Sequence, residues 1–302
     1  NSLIVATSAT IGEHALVTVP FMCNQRFTCL TRKPGYARKL DMKFMLHYAD
    51  ILDSFCLENT NKGGFASVSM PALKKFEIPV PPMEIQREIV RILDSFAELE
   101  AELEAELEAE LEARKAQYAF YRDNLLSFDR ERVPWLKLGQ LFEFKNGINK
   151  GKDSFGHGVP IVNYADAYRG GGFRQTAING LVDANAEDQK RYSVKRGDVF
   201  FTRTSEIKEE IGYAAVCLES IPTAVFSGFV LRARPKTEFL LPEYCAYCFR
   251  TYGARDQIVR YSTMTTRALT NGGNLSKVEI PVPSLATQQR IVDILDRFDA
   301  LT

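Results

Sequence analysis

Two periodicities divide this chain. Ile85, Ile89, Ile92, Phe96, Leu99 and Leu103 recur at spacings of 4, 3, 4, 3 and 4, the heptad seam of a helix that docks along another helix. Four AELE tetrads begin at Ala97 and put Leu99, Leu103, Leu107 and Leu111 at every fourth position. Strict alternation also suits a strand, but Ala, Glu and Leu are strong helix formers and the run is too long for one. Pro79, Pro81 and Pro82 keep a helix from starting earlier. The pattern predicts one helix over about 83–126. A spacing of four turns the leucine stripe by roughly 40° per tetrad, so it winds off a straight seam.

Residues 133–283 read differently. WLKLGQLFEFKNG (135–147), RYSVKRGDVFFTRTS (191–205), EIGYAAVCLE (210–219) and TAVFSGFVLRARPK (223–236) are short β-type runs broken by Gly, Asp and Pro. A helical stretch over 242–260 offers Tyr244, Cys248, Tyr252 and Ile258 as an apolar face. The expected fold class is α+β, a twisted or partly closed sheet with helices packed on it.

An internal repeat organises these pieces. EIPVPPMEIQREIVRILDSFAEL (77–99) matches EIPVPSLATQQRIVDILDRFDAL (279–301) at a constant offset of 202, pairing Gln86 with Gln288, Leu93 with Leu295 and Phe96 with Phe298. Ser284 is a natural N-cap for the second helix. Further upstream, ATSATIGEHALVTV (6–19) resembles RTSEIKEEIGYAAV (203–216). The chain divides into the rear part of a first unit (1–82), a spacer helix (83–128), a whole second unit (129–283) and the start of a second helix (284–302). Counterparts of about 133–199 are absent from the first unit, and no initiating Met is present.

Charge distribution sharpens the picture. The net charge is zero, yet 97–112 carries eight glutamates and no Lys or Arg. The remainder, with 38 basic residues against 30 acidic ones, stands at +8. An acidic strut is thus set into an otherwise basic protein, as a nucleic-acid partner would require. The strut is either a solvated acidic helix or a ruler, since each tetrad adds about 6 Å of helix, close to two base pairs of DNA. Six scattered cysteines are too few for a disulfide scaffold and fit a reducing cytoplasm. Cys245 and Cys248 form a CxxC without a second pair or a flanking histidine, so they read as half-buried helix residues rather than a zinc site. Neither a signal peptide nor a membrane-spanning run is visible.

Taken together, the paired EIPVP…Q…IV.ILD.F..L boxes, the helix ending YAFYRDNLLSF (118–128), the opening WLKLGQLFEFKNG and the GDVFFTRTS and VFSGFVLR runs are similar to the specificity subunits of Type I restriction–modification systems. The resemblance covers nearly the whole chain. It implies two target-recognition domains, each reading half of a split duplex DNA site, separated by long antiparallel coiled-coil-like helices. Those helices bind methyltransferase subunits, with restriction subunits as further partners. S-adenosylmethionine belongs to the methyltransferase, so no cofactor and no catalytic residue is expected in this chain. The truncated first unit departs from the family pattern and leaves a half-reader, or a protein completed as a homodimer.

Residues suited to phosphates and base edges form three clusters. The first holds Asn149, Lys150, Lys152, His157, Asn163, Tyr164, Arg169, Arg174 and Gln175, with Gly170–Gly172 able to let a loop approach DNA. The second is Arg203, Thr204 and Ser205; the third contains Arg260, Thr263 and Arg267. Nearby Tyr and Phe residues read as core, because the target is duplex. For helix packing and partner docking the candidates are Ile89, Ile92, Phe96, Leu99, Leu103, Ile291, Ile294, Phe298 and Leu301. Two rival readings remain: a coiled-coil assembly scaffold, and a nuclease built on Asp198, Glu206 and Lys208, whose D…ExK pattern would need the three to converge on one metal.

Overall fold

The computed structural model describes residues 1–61 and 66–300. It divides into two compact units, 1–110 and 111–302. One helix, Met83–Leu125, contributes to both.

In the first unit, Ser2–Ala6 is the central strand of an antiparallel sheet, flanked by His14–Val17 and Phe27–Thr31. Asp41 starts the next helix, Met42–Glu58, by accepting the Lys43 amide at 2.8 Å. Met42, Met45, Ala49, Leu52 and Cys56 recur at helical spacing and pack on Leu3 and Val5. The long helix docks here through a narrow face on which Gln86 and Val90 are buried. Asp94 extends that face, reached by Lys43 Nζ and His47 Nε2 at 2.8 Å each. These two hydrogen bonds hold the Asp94 carboxyl below its usual range. Within this unit the heptad residues stay outside the contact: Ile89 is half-buried, while Ile92, Phe96, Leu99 and Leu103 are exposed.

The second unit is built on a five-stranded mixed sheet in the order Phe142–Asn146, Val230–Pro235, Val199–Thr202, Ala214–Cys217 and Gly171–Phe173. Three of these strands repeat the first unit's arrangement, with Val199–Thr202 in the central place of Ser2–Ala6. Both faces are covered, which is why VFF and AAVC read as continuous apolar runs rather than alternating ones. Val199 and Phe201 join one core with Leu138, Leu141, Tyr244, Ile291 and Leu295, whereas Phe200 joins the other with Val162, Ala167 and Phe226. The second core is closed by a small sheet of Phe155–Val162 between Leu181–Val182 and Val225–Phe226.

The predicted helix over 242–260 is two helices, Pro242–Cys248 and Tyr252–Tyr261. Thr251 caps the second, its hydroxyl accepting the Ala254 amide at 3.3 Å. The break shifts the helical phase: Tyr244, Cys248 and Ile258 are buried, but Tyr252 is 76% exposed. Cys245 and Cys248 are buried thiols, and desolvation pushes Cys248 up to about 12, so both are neutral core residues.

Ser284 caps the last helix, Leu285–Asp299, by accepting the Thr287 amide at 3.3 Å. Ile291 is buried in the core, Ile294 and Phe298 are half-buried, and Phe298 stacks on Tyr121 with centroids 5.5 Å apart. Leu301 lies outside the described residues.

The repeated glutamines have a physical role in both copies of the repeat. Gln86 and Gln288 are both fully buried. Gln86 Oε1 accepts the Asp41 amide at 2.8 Å, and its Nε2 donates to the Lys39 and Pro81 carbonyls at 2.8 and 2.6 Å. Gln288 Oε1 accepts the Leu241 amide at 2.9 Å, and its Nε2 donates to the Phe239 and Pro283 carbonyls at 2.8 and 2.9 Å. Each side chain ties the start of the sheet-packing helix to the prolines that open the repeat helix. The Asp94 contact has a counterpart too, because Tyr247 Oη donates to Asp296 at 2.5 Å.

Candidate nucleic-acid interface

Strand register sorts the candidate residues by place. Asn146 pairs with Leu231, Phe201 pairs with both Leu231 and Ala214, and Ala215 pairs with Gly171. One end of the sheet therefore carries the segments 147–152, 202–205, 227–229 and 212–213 together with Arg169 and Gly170. Cys217 pairs with Phe173 at the opposite end, which takes Arg174 and Gln175 away from the rest. There Arg174 faces Glu219 at 3.6 Å and the Gln175 amide donates to the same carboxylate at 2.7 Å.

Hydrogen bonds join the three clusters at the first end. The Gly228 amide donates to the Ile148 carbonyl at 2.8 Å, and Arg203 Nη1 donates to the Gly228 carbonyl at 2.8 Å. Gly147 is required here, since a Cβ would collide with the Ser227 carbonyl. Thr204–Ser205 pairs with Ala268–Leu269, which pairs in turn with Thr263–Met264. Thus Asn149, Arg203 and Thr263 belong to one connected surface. Asn163 begins the helix Tyr164–Arg169, next to Val162, whose carbonyl accepts the Ser227 amide at 2.9 Å.

The side chains on this surface divide into two kinds. Lys152, Thr263 and Asn149 are exposed, and Arg267 is paired with the exposed Glu206 at 3.1 Å. Exposed pairs of this sort exchange readily for phosphate. Arg260 similarly pairs with Asp256 at 3.2 Å on its own helix. His157 is exposed, held out by Gly156 and Gly158, both at positive φ of 94° and 95°. In contrast, Lys150 is drawn to Asp188 at 2.8 Å, and that bond raises its pKa. Ser205 is buried and accepts the Ile207 amide at 3.2 Å, and Arg203 is committed to the Gly228 turn. Burial raises the Tyr164 hydroxyl pKa, and its ring stacks on Tyr168 at 5.7 Å.

Gly171–Phe173 is an edge strand rather than a free loop, and a Cβ on Gly172 would press on Leu218 at 2.5 Å. Beside it, Arg122, Arg169, Arg250 and Arg255 line an open cavity of about 480 Å³. Arg255 is structural there: it donates to the Gly212, Glu209 and Ile211 carbonyls, and burial lowers its pKa.

Sequence reading missed Phe229. Phe200, Phe201 and Phe226 are fully buried as expected, but Phe229 is 67% exposed in the middle of this surface. The Ser227-Gly228 turn was the available signal, because it takes Phe229 out of the strand that starts at Val230.

A nuclease centre is not assembled. Asp198 is fully buried, gripped by Arg234 at 2.7 Å, and precedes Val199. Glu206 and Lys208 follow the other end of that strand, some 13 Å away at strand rise. Among the described residues, the one group of three or more potential metal-ligating side chains is His14, Asp50 and Asp53. No helix among them is long and apolar enough to cross a membrane.

This fold and surface define a mixed-sheet unit joined to a repeat helix. The family model for the Type I restriction modification DNA specificity domain matches residues 1–113 and 133–302, and the chain belongs to that family. It is 35% identical to the EcoprrI specificity subunit of Escherichia coli over 311 aligned residues, covering all of this chain and 72% of that one. It is 29% identical to the EcoR124I/EcoR124II specificity subunit of Escherichia coli, covering 86% of this chain and 64% of that one. Among solved structures, a chain from a study of assembly and conformational transition in the type I R-M system shares the fold with a TM-score of 0.72 at 17% identity, over 99% of this chain and 74% of that one. The HsdS subunit from Thermoanaerobacter tengcongensis gives 0.57 at 18% identity, over 99% and 73%. DNA sequence recognition is the function this membership supports, and neither the scaffold nor the nuclease reading is favoured.

Proposed function

We propose that the second unit reads one half of a bipartite duplex site with the sheet end that carries Asn149, Lys152, Arg203–Ser205 and Thr263–Arg267. The observation that carries this reading is the convergence of three sequence-distant polar clusters on one connected surface. Base edges would be addressed by Asn149 and the threonines, and phosphates by Lys152, Arg267 and Arg260. The chain itself performs no chemistry. Methyl transfer, with its S-adenosylmethionine, is assigned to a methyltransferase subunit docked on the repeat helices, in the cytoplasm where the DNA lies. A restriction subunit is a further partner. We propose further that a second copy of the chain associates with the first unit.

Methylation mapping of host DNA, with this gene present and deleted beside its methyltransferase partner, tests the reading. A bipartite motif that disappears on deletion is the expected result. A palindromic motif supports completion by a second copy, and no change in the methylation map sinks the assignment.

A further inference from the structure

The exposed aromatic at the centre of the reading surface has a geometry that suits one particular feature of DNA. We propose that Phe229 contacts a thymine methyl group in the major groove while the Asn149 amide beside it addresses adenine, so that the turn 227–229 specifies an A·T pair. The inference rests on the proposed reading surface and names what one part of it recognises.

A single exposed apolar side chain is ordinary on a protein surface. Phe229 differs because it has apolar company and a rigid mount. Phe229 and Phe155, respectively 67% and 39% exposed, line the same open cleft of about 360 Å³. Ile148, Asn149, Lys152 and Gly228 are among its other lining residues. The turn is fixed by backbone bonds on both sides. Ser227 N donates to the Val162 carbonyl at 2.9 Å, Gly228 N to the Ile148 carbonyl at 2.8 Å, and Phe229 N to Ser227 Oγ at 3.1 Å. Arg203 holds the outer side through the Gly228 carbonyl at 2.8 Å. The ring is therefore presented with little ordering left to do on binding. Asn149 lies so close over Gly228 that a Cβ there would collide with its side-chain oxygen. The amide and the ring thus form one unit.

The chemistry selects the target. The thymine methyl is the apolar group on the base edges of the major groove, and the minor groove offers none. An amide reads adenine through N6 and N7, on the partner of that same thymine or of its neighbour. Lys152 at the rim would meet the flanking phosphate.

The test uses this chain in complex with its methyltransferase, and duplexes carrying the mapped site. Thymines of the second unit's half-site are replaced one at a time by uracil, which removes the methyl and nothing else. The wild type should lose about fourfold in affinity at one position. Phe229→Ala should bind the unsubstituted site roughly tenfold more weakly and lose nothing further at that position. Phe229→Leu, which keeps an apolar tip, should retain part of the discrimination. An unchanged melting curve for each variant, expected of an exposed side chain, separates recognition from folding. The proposal is overturned if no thymine position matters to the wild type, or if the uracil penalty persists undiminished in Phe229→Ala. Equal weakening of Phe229→Ala on mapped and unrelated duplexes would make the ring a non-specific wedge, which also overturns it. Failure of the wild type to prefer the mapped duplex would instead bring down the reading surface itself.

Discussion

At the scale of single residues, buried polar groups are more telling than the exposed ones. Gln86 and Gln288 are fully buried, and each closes three hydrogen bonds with backbone groups. Gln288→Met, close in shape, leaves the Leu241 amide and the Phe239 and Pro283 carbonyls unpaired and should cost about 2–4 kcal/mol. Gln86→Met should do the same in the first unit, read from urea midpoints; a loss below about 0.5 kcal/mol would mean that water takes over these bonds. The surface residues follow different arithmetic. Lys152→Ala and Arg267→Ala should each weaken binding similarly on all sequences and lower the salt slope by about one; a sequence-dependent loss would show that they touch bases. The sequence marked Gln86 and Gln288 through their repeat but could not show their purpose, since four of their six partners lie more than forty residues away. Likewise Lys150 and Ser205 looked available for DNA, and only the fold reveals Asp188 and the Ile207 amide as their partners.

Elements differ in how much of their form is local. The long helix was readable almost to the residue, predicted over 83–126 and found at Met83–Leu125, because prolines open it and propensity sustains it. The break at Thr251 was not, because it depends on which face of each short helix meets the sheet. Nor was the face that the long helix buries: its heptad pattern points to Ile92 and Phe96, while the first unit uses Gln86, Val90 and Asp94. In the tetrads Leu99, Leu103 and Leu107 are 59–67% exposed, so a change in tetrad number disturbs no core. Deleting one AELE repeat shortens the helix by about 6 Å, close to two base pairs at ~3.4 Å each. The mapped motif should then keep both halves and lose about two base pairs of spacer. An unaltered spacer in the methylation map would leave the tetrads as a solvated acidic strut.

For the molecule as a whole, the two units share a plan but not a degree of closure. Leu73, Phe76 and Ile78 correspond by the repeat offset to Leu275, Val278 and Ile280. In the second unit these pack against Leu138, Leu141 and Phe142, all essentially buried. In the first they line an open cavity of about 370 Å³ with Leu3, Leu30 and Met45. Its outer strand Phe27–Thr31 has no buried residue, whereas Ala214–Cys217 and Val199–Thr202 are buried throughout. Less apolar area leaves water on folding of the first unit, so its opening should be easier than that of the second. Hydrogen exchange should accordingly find the amides of Leu3 and Val5 at least about tenfold less protected than those of Phe200 and Phe201. If a second copy completes the first unit, that gap should narrow as protein concentration rises, because binding to the folded form adds to its stability by mass action. A gap that stays constant over a hundredfold range of concentration would confine the first unit to acting alone, and equal protection in both units would mean that the long helix stabilises it as fully as a closed core does the second.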